Sequence, residues 1–115
     1  MRVVPHDENT MIRQGDVLLI PIDQDEIPTN TKDVAATGGR HILAHGEATG
    51  HHHSVSADHA DLVTSEQANE LFLLVHGLDT TLVHQEHTAL TVAPGAYRVV
   101  RQVEYAPEGL RQVQD

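Results

Sequence analysis

The sequence predicts an all-β protein, a small single-domain barrel or sandwich, and three observations carry that expectation. Turn-forming residues punctuate the chain roughly every eight to twelve positions, the spacing of short strands. No segment sustains the 3.6-residue apolar period of an amphipathic helix. From Tyr97 to Tyr105, Tyr97, Val99, Arg101, Val103 and Tyr105 alternate with Arg98, Val100, Gln102 and Glu104, the period of two that belongs to a strand.

Taken in order, residues 1–10 are polar and read as a flexible arm, leaving 11–115 as a single β domain. Gly15 introduces the aliphatic run from Asp16 to Ile22, too short for an average helix and read as a buried strand with Pro21 at its end or edge. Aliphatics on both faces of that run leave it either central in a sheet or buried between subunits. Asp23 to Gly39, with Pro28, Asn30 and Gly38-Gly39, has loop composition and the length of a lid or a wandering connection. Arg40 to Glu47 resumes a strand pattern, Gly46 and Gly50 bracket a turn, and His51 to Ser56 reads as the returning strand. Thr64-Ser65-Glu66-Gln67 has the spacing of a capping box and predicts one helical turn. Leu71 to Val75 predicts a central strand, turned by Gly77 and Asp79 towards Thr80 to His84. Pro94-Gly95 supplies a type II turn before the Tyr97–Tyr105 strand, which Pro107 and Gly109 close.

Composition narrows the function classes. Acidic residues outnumber basic ones 17 to 7, a formal charge of -10. That field repels phosphate backbones and anionic membranes, and Phe72, Tyr97 and Tyr105 make too sparse a stacking platform for single strands. Neither nucleic acid nor membrane is expected as a partner. There is no apolar run of the roughly 18 residues that a membrane span needs, and no secretory leader pattern at the N-terminus, so a cytoplasmic location is expected. The chain has no cysteine, so any metal must be held by imidazole and carboxylate. With 39% hydrophobic residues and three aromatics, the core rests on Val, Leu and Ile, and such a thin core gains from a bound ion or a second subunit.

Ten histidines in 115 residues direct attention to imidazole chemistry. In Gly46-Glu47-Ala48-Thr49-Gly50-His51-His52-His53 a turn leads straight into three of them. On a strand His51 and His53 share a face with Cα atoms roughly 6.5–7 Å apart, close enough for both rings to reach one ion at about 2.0–2.1 Å. His52 points to the other face and is assigned no ligand role. The second cluster is His84-Gln85-Glu86-His87. A straight strand puts His84 beside Glu86, whereas a bulge or strand end after Gln85 brings His84 and His87 together, and the spacing leaves both arrangements open. Glu47 and Glu86 are candidates for a general base or for orienting a ligand. Arg101 and Tyr105 share a strand face and either bind an anionic substrate or pack on an outer face over Val103. His41 and His45 are expected to be exposed, with Ile42 and Ala44 turned inward.

These residues carry two resemblances. His51-His52-His53 after a glycine, with His87 upstream of Pro94-Gly95, resembles the paired motifs of the cupins, small jelly-roll metalloproteins. The glutamate that follows the first cupin motif has no counterpart after His53, and the distance between the motifs is longer. Arg13-Gln14-Gly15-Asp16, Gly46-Glu47, Gly50-His51, His84 to His87 and Arg101-Gln102-Val103-Glu104-Tyr105 together resemble a group of small His-rich proteins of bacteria and tailed phages. That likeness implies a bacterial or phage-infected cytosol and transfers no activity.

The functional expectation is a transition-metal site built from His51, His53, His84 and His87. Zinc is the first choice, with iron or nickel as alternatives. An open site would activate a metal-bound water on a small-molecule substrate, hydration or hydrolysis of the carbonic-anhydrase type being the simplest case. A closed four-histidine site would instead stabilise the fold of a structural or phage accessory protein. A third reading is an acidic inhibitor of a partner protein, with incidental histidines. Homo-oligomerisation enters only through the apolar run from Val17 to Ile22.

Overall fold

The structure, a computed structural model, describes residues 11–45, 51–65, 70–106 and 109–112, with backbone alone from Val103 onward. The fold is all-β and sandwich-like rather than a closed barrel: two antiparallel sheets, with no α-helix among the described residues. One sheet has six strands in the order β1 (Ile12–Gln14), β2 (Val17–Ile22), β10 (Gly95–Arg101), β7 (Glu70–Val75), β6 (Ala60–Ser65) and β3 (Thr31–Asp33). The other has four, in the order β4 (Arg40–His45), β5 (His52–Ser56), β8 (Thr80–His84) and β9 (His87–Val92). A separate hairpin joins β11 (Val103–Ala106) to β12 (Gly109–Gln112).

Alternation decides which residues enter the core. Val17 and Leu19 of β2, Leu62 of β6, Leu73 and Val75 of β7 and Tyr97 of β10 form the inner face of the large sheet. Leu43, Val55, Leu82 and Val92 meet them from the small sheet. Tyr97 keeps its hydroxyl satisfied by donating to the Ala93 carbonyl at 2.7 Å, so a large ring is buried without an orphaned polar end. The run Val17–Ile22 lies between β1 and β10, with Leu18 and Ile20 half-buried on the face away from this core.

Several sequence expectations change. The Tyr97–Tyr105 strand is broken at Gln102, whose backbone N–H donates to the Asp16 carbonyl at 2.7 Å; β10 ends there and β11 pairs with β12 instead. Thr64 and Ser65 are the end of strand β6, not the start of a helical turn, because Thr64 pairs with Leu71 and Ser65 with Glu70; Glu66 and Gln67 lie outside the described residues. A capping box does occur at Asp23 to Glu26, where it starts a single 3-10 turn. The Asp23–Gly39 stretch also contains β3, so it adds an edge strand to the large sheet. His41 is buried, not exposed, because a bulge at Leu43 resets the alternation of β4. His45 is exposed.

Candidate metal centre

Polar residues close one end of the core. The inner face of β5 carries Val55, then His53, then His51 just before the strand, running from the apolar interior to a half-buried rim. Ser54 pairs with Val83 across β5 and β8, so the antiparallel register sets His53 opposite His84, His52 opposite Gln85 and His51 opposite Glu86. Each of these pairs makes contact. The His53 and His84 rings lie 4.3 Å apart. The His52 backbone N–H donates to Gln85 Oε1 at 2.8 Å, and His51 Nδ1 lies 3.1 Å from Glu86 Oε1.

After His84 the chain turns over Gln85 and Glu86, and His87 opens β9 directly opposite His84. The sequence left two arrangements open there, and the structure has the strand end: the rings of His84 and His87 are 4.7 Å apart, while Glu86 points outward. This two-residue turn lacks the Asn-Gly or Asp-Gly pair that usually marks one. It is held instead by the Glu86 N–H donating to His84 Nδ1 at 3.0 Å.

The β1–β2 hairpin completes the cluster from the large sheet. Gly15 takes φ 57 at its tip, and a Cβ there would stand 2.8 Å from His87 Nε2 and 3.2 Å from His53 Cε1. Only a glycine lets the hairpin come this close to the two rings. On either side of it, Gln14 and Asp16 are buried. Gln14 Nε2 donates to the Leu82 carbonyl at 3.0 Å and the Thr88 carbonyl at 2.9 Å, tying the two sheets together. Both amide hydrogens are thereby used, and Gln14 Oε1 is left to accept from His53 Nδ1–H at 2.9 Å. The proton of a neutral His53 is thus fixed on Nδ1, and its Nε2 faces Asp16 Oδ1 at 3.2 Å. Asp16 Oδ2 accepts from Arg101 Nε at 2.8 Å, and the same guanidinium reaches the His45 carbonyl.

The structure therefore brings His51, His53, His84 and His87 to one end of the sandwich, with Glu86 at the rim. Arg101 is engaged with Asp16. Tyr105 lies on β11 opposite Leu110, with its side chain outside the described residues, as is all of Glu47. Two residues escaped sequence reasoning, Gln14 and Asp16. The signal that would have found them is the Gly15-Asp16 pair itself, a two-residue hairpin sequence between apolar stretches.

Among the described residues, no three histidine or carboxylate groups already stand at coordination spacing. The imbalance is nonetheless specific. Asp16 is 1% exposed and its Oδ1 has no hydrogen-bond donor; His87 Nε2 is likewise buried without a partner. A cavity of about 450 Å³, lined by Pro21, Asp23, Glu26, Pro94 and Tyr97 among others, opens elsewhere. It sits at the opposite end of β2 and β10, since Ile22 pairs with Ala96 there while Val17 pairs with Arg101 beside the histidines.

The chain belongs to the DUF8820 family, a domain of unknown function that matches residues 13–102 and so contains every histidine and carboxylate of this cluster described above. No curated protein and no solved structure gave a significant match.

Proposed function

We propose that this protein binds one divalent transition metal ion at the histidine cluster and uses it to activate a water molecule on a small substrate. The observation that carries the reading is the tautomer lock on His53. Gln14 Oε1 accepts from Nδ1–H, so in the neutral ring Nε2 carries no proton and lies 3.2 Å from a buried carboxylate oxygen. An unprotonated ring nitrogen and a carboxylate oxygen this close in a dry interior repel, and a proton or a metal ion shared between them removes that repulsion. An outer partner that fixes the ring orientation of a histidine is the usual second layer of a metal site.

Zinc is the first candidate, with iron or nickel as alternatives, because every available donor is imidazole or carboxylate. Bound zinc brings the pKa of its water to about 7 and so supplies hydroxide at neutral pH. His51 and Glu86 are the protein's own proton-handling groups: they touch at 3.1 Å, and Glu86 is about half exposed, so protons exchange with solvent at the rim. Glu86 is the general-base candidate in this scheme. A non-catalytic metal staple is the second reading, favoured by the fact that the cluster spans both sheets through Gln14.

The first test is metal content of untagged protein by plasma mass spectrometry, beside a His53→Ala/His87→Ala double variant. Near-stoichiometric metal in the parent and none in the variant supports the reading. An absence of metal from the parent, even after exposure to Zn²⁺, removes it. Carbon dioxide hydration and activated-ester hydrolysis, with and without chelator, then separate the catalytic reading from the staple.

A further inference from the structure

Hydrogen-bond chemistry distinguishes the histidines from one another and brings in a residue from the other sheet. A neutral histidine that binds a metal through Nε2 must carry its proton on Nδ1. His53 meets that condition, since Nδ1–H donates to Gln14 Oε1. His84 does not. Its Nδ1 accepts from the Glu86 N–H at 3.0 Å, so its proton sits on Nε2 and that nitrogen is a donor into the cluster. Ligation by His84 Nε2 would break the hydrogen bond that holds the β8–β9 turn. His87 Nε2 is buried, has no partner and faces the tip of the β1–β2 hairpin, as His53 Cε1 does.

Asp16 supplies what the histidines lack. It is 1% exposed, yet only one of its oxygens is hydrogen-bonded: Oδ2 by Arg101, while Oδ1 stands 3.2 Å from His53 Nε2 without a hydrogen bond. A buried carboxylate oxygen in this position is stabilised by a positive charge beside it, a metal ion or a protonated His53. The separation of 3.2 Å is close to that between two ligands about 2.0 Å from one tetrahedral ion. His87 brings a second imidazole nitrogen to the same place, because His87 Nε2 and His53 Cε1 both border the Cβ position of Gly15.

We infer that the metal is held by two histidines and one carboxylate, His53, His87 and Asp16, with His84 as a hydrogen-bond donor to what occupies the open positions rather than as a ligand. This rests on the metal-binding reading above and refines it. Two imidazoles and a carboxylate on one side of an ion leave positions for water and a small substrate, and suit Fe²⁺ as well as Zn²⁺. Arg101 holds the distal oxygen of Asp16 and is a positioning residue. His51 and Glu86 form the solvent-facing rim of the cluster, with the His51 ring 5.8 Å from that of His84.

The test is a Zn²⁺ titration of the full-length untagged chain against a chromophoric chelator, for the parent and for Asp16→Asn, His87→Gln and His84→Gln. Loss of an outer partner weakens a metal site about 10–100-fold, so loss of a ligand is expected to exceed about 100-fold in Asp16→Asn and His87→Gln. His84→Gln is expected to stay within about 100-fold of the parent, in the range of an outer partner. Parent affinity in Asp16→Asn, or loss in His84→Gln equal to that in His87→Gln, overturns the assignment and leaves a histidine-only site standing. A parent that binds no Zn²⁺ fails the earlier reading and this one with it. X-ray absorption on the Zn²⁺-loaded parent gives a check that needs no variant to fold. Two imidazoles around the ion agree with the inference, and three or four overturn it.

Discussion

Gly15 and Gly38 offer a controlled measurement of how tightly the β1–β2 hairpin presses on the histidines. Both have φ 57, so an alanine at either position meets the same backbone strain, roughly 1–2 kcal/mol. Their surroundings differ completely. Nothing lies within 4 Å of a Cβ built on Gly38, whereas one built on Gly15 stands 2.8 Å from His87 Nε2 and 3.2 Å from His53 Cε1. The His53 ring cannot give way, since it is anchored by Gln14 and fully buried. The hairpin or His87 must therefore move, at the usual price of overpacking, about 1–3 kcal/mol. Gly38→Ala is expected to destabilise by roughly 1–2 kcal/mol and Gly15→Ala by about 2–5 kcal/mol. At about 4 °C per kcal/mol, melting temperatures fall by roughly 4–8 °C and 8–20 °C respectively. Urea melts and thermal scans of the two variants, both with chelator present, measure the difference. Equal losses, within about 0.5 kcal/mol, would refute the claim that the hairpin tip seats against the imidazoles.

Four further outcomes follow from the same contacts. Gln14→Leu strands the Leu82 and Thr88 carbonyls and frees the His53 tautomer, so urea denaturation is expected to show a loss of about 2–4 kcal/mol; less than about 1 would mean that this amide does not tie the sheets. Arg101→Gln leaves the Asp16 carboxylate buried without its cation. Because Arg101 is about a third exposed, the expected loss is roughly 1–3 kcal/mol, less than for a fully buried pair, and a given Zn²⁺ concentration is expected to stabilise this variant less than the parent, since Arg101 positions Asp16. Glu70→Gln breaks the Arg98–Glu70 pair, but both partners are 36% exposed, so stability in low salt is expected to change by under about 1 kcal/mol. Zn²⁺ at 100 times its dissociation constant is expected to stabilise the parent by about 2.7 kcal/mol in a thermal scan, with no shift in His53→Ala/His87→Ala.

What the sequence disclosed follows the strength of its local signals. Val17 to Ile22, Leu71 to Val75 and Thr80 to His84 are strands close to where composition put them, because apolar runs bounded by turns leave little choice. Strand β6 was hidden because its Ala60–Ser65 segment mixes buried Leu62 and Val63 with Asp61 and Thr64, so no period stands out. Strand β9 was hidden because a bulge between its pairings to Leu82 and His84 disturbs the alternation. The same device buried His41. The Tyr97–Tyr105 pattern continued past the real end of β10 because side-chain alternation says nothing about which carbonyl the Gln102 N–H will meet. At the site, His51-x-His53 and His84-x-x-His87 were visible as local spacing. Gln14 and Asp16 were not, and Arg101 was singled out as a substrate contact without its partner Asp16, because these contacts cross 39, 37 and 85 positions of sequence separation, which spacing alone does not encode.

The arrangement of supports also bears on whether a metal here would act or merely staple. A structural site of the zinc-finger kind has little to hold its ligands before the ion arrives, and removing the ion unfolds it. Here two of the three candidate ligands are oriented by protein alone, His53 by Gln14 and Asp16 by Arg101, while the backbone turn that carries His87 is held by the Glu86 bond to His84. The apolar core of Val17, Leu19, Leu73, Leu82 and Tyr97 closes independently of them. Chelation should then remove only the binding energy and leave a cooperative melt, shifted by the linkage amount. Preorganisation of this kind benefits a site whose ion must keep open positions, since ligands already in place need not be drawn in by filling the coordination sphere. A melt that disappears on chelation would reverse the argument and favour the staple. A shifted but intact transition, together with solvent access past His51 and Glu86, favours an ion that meets substrate.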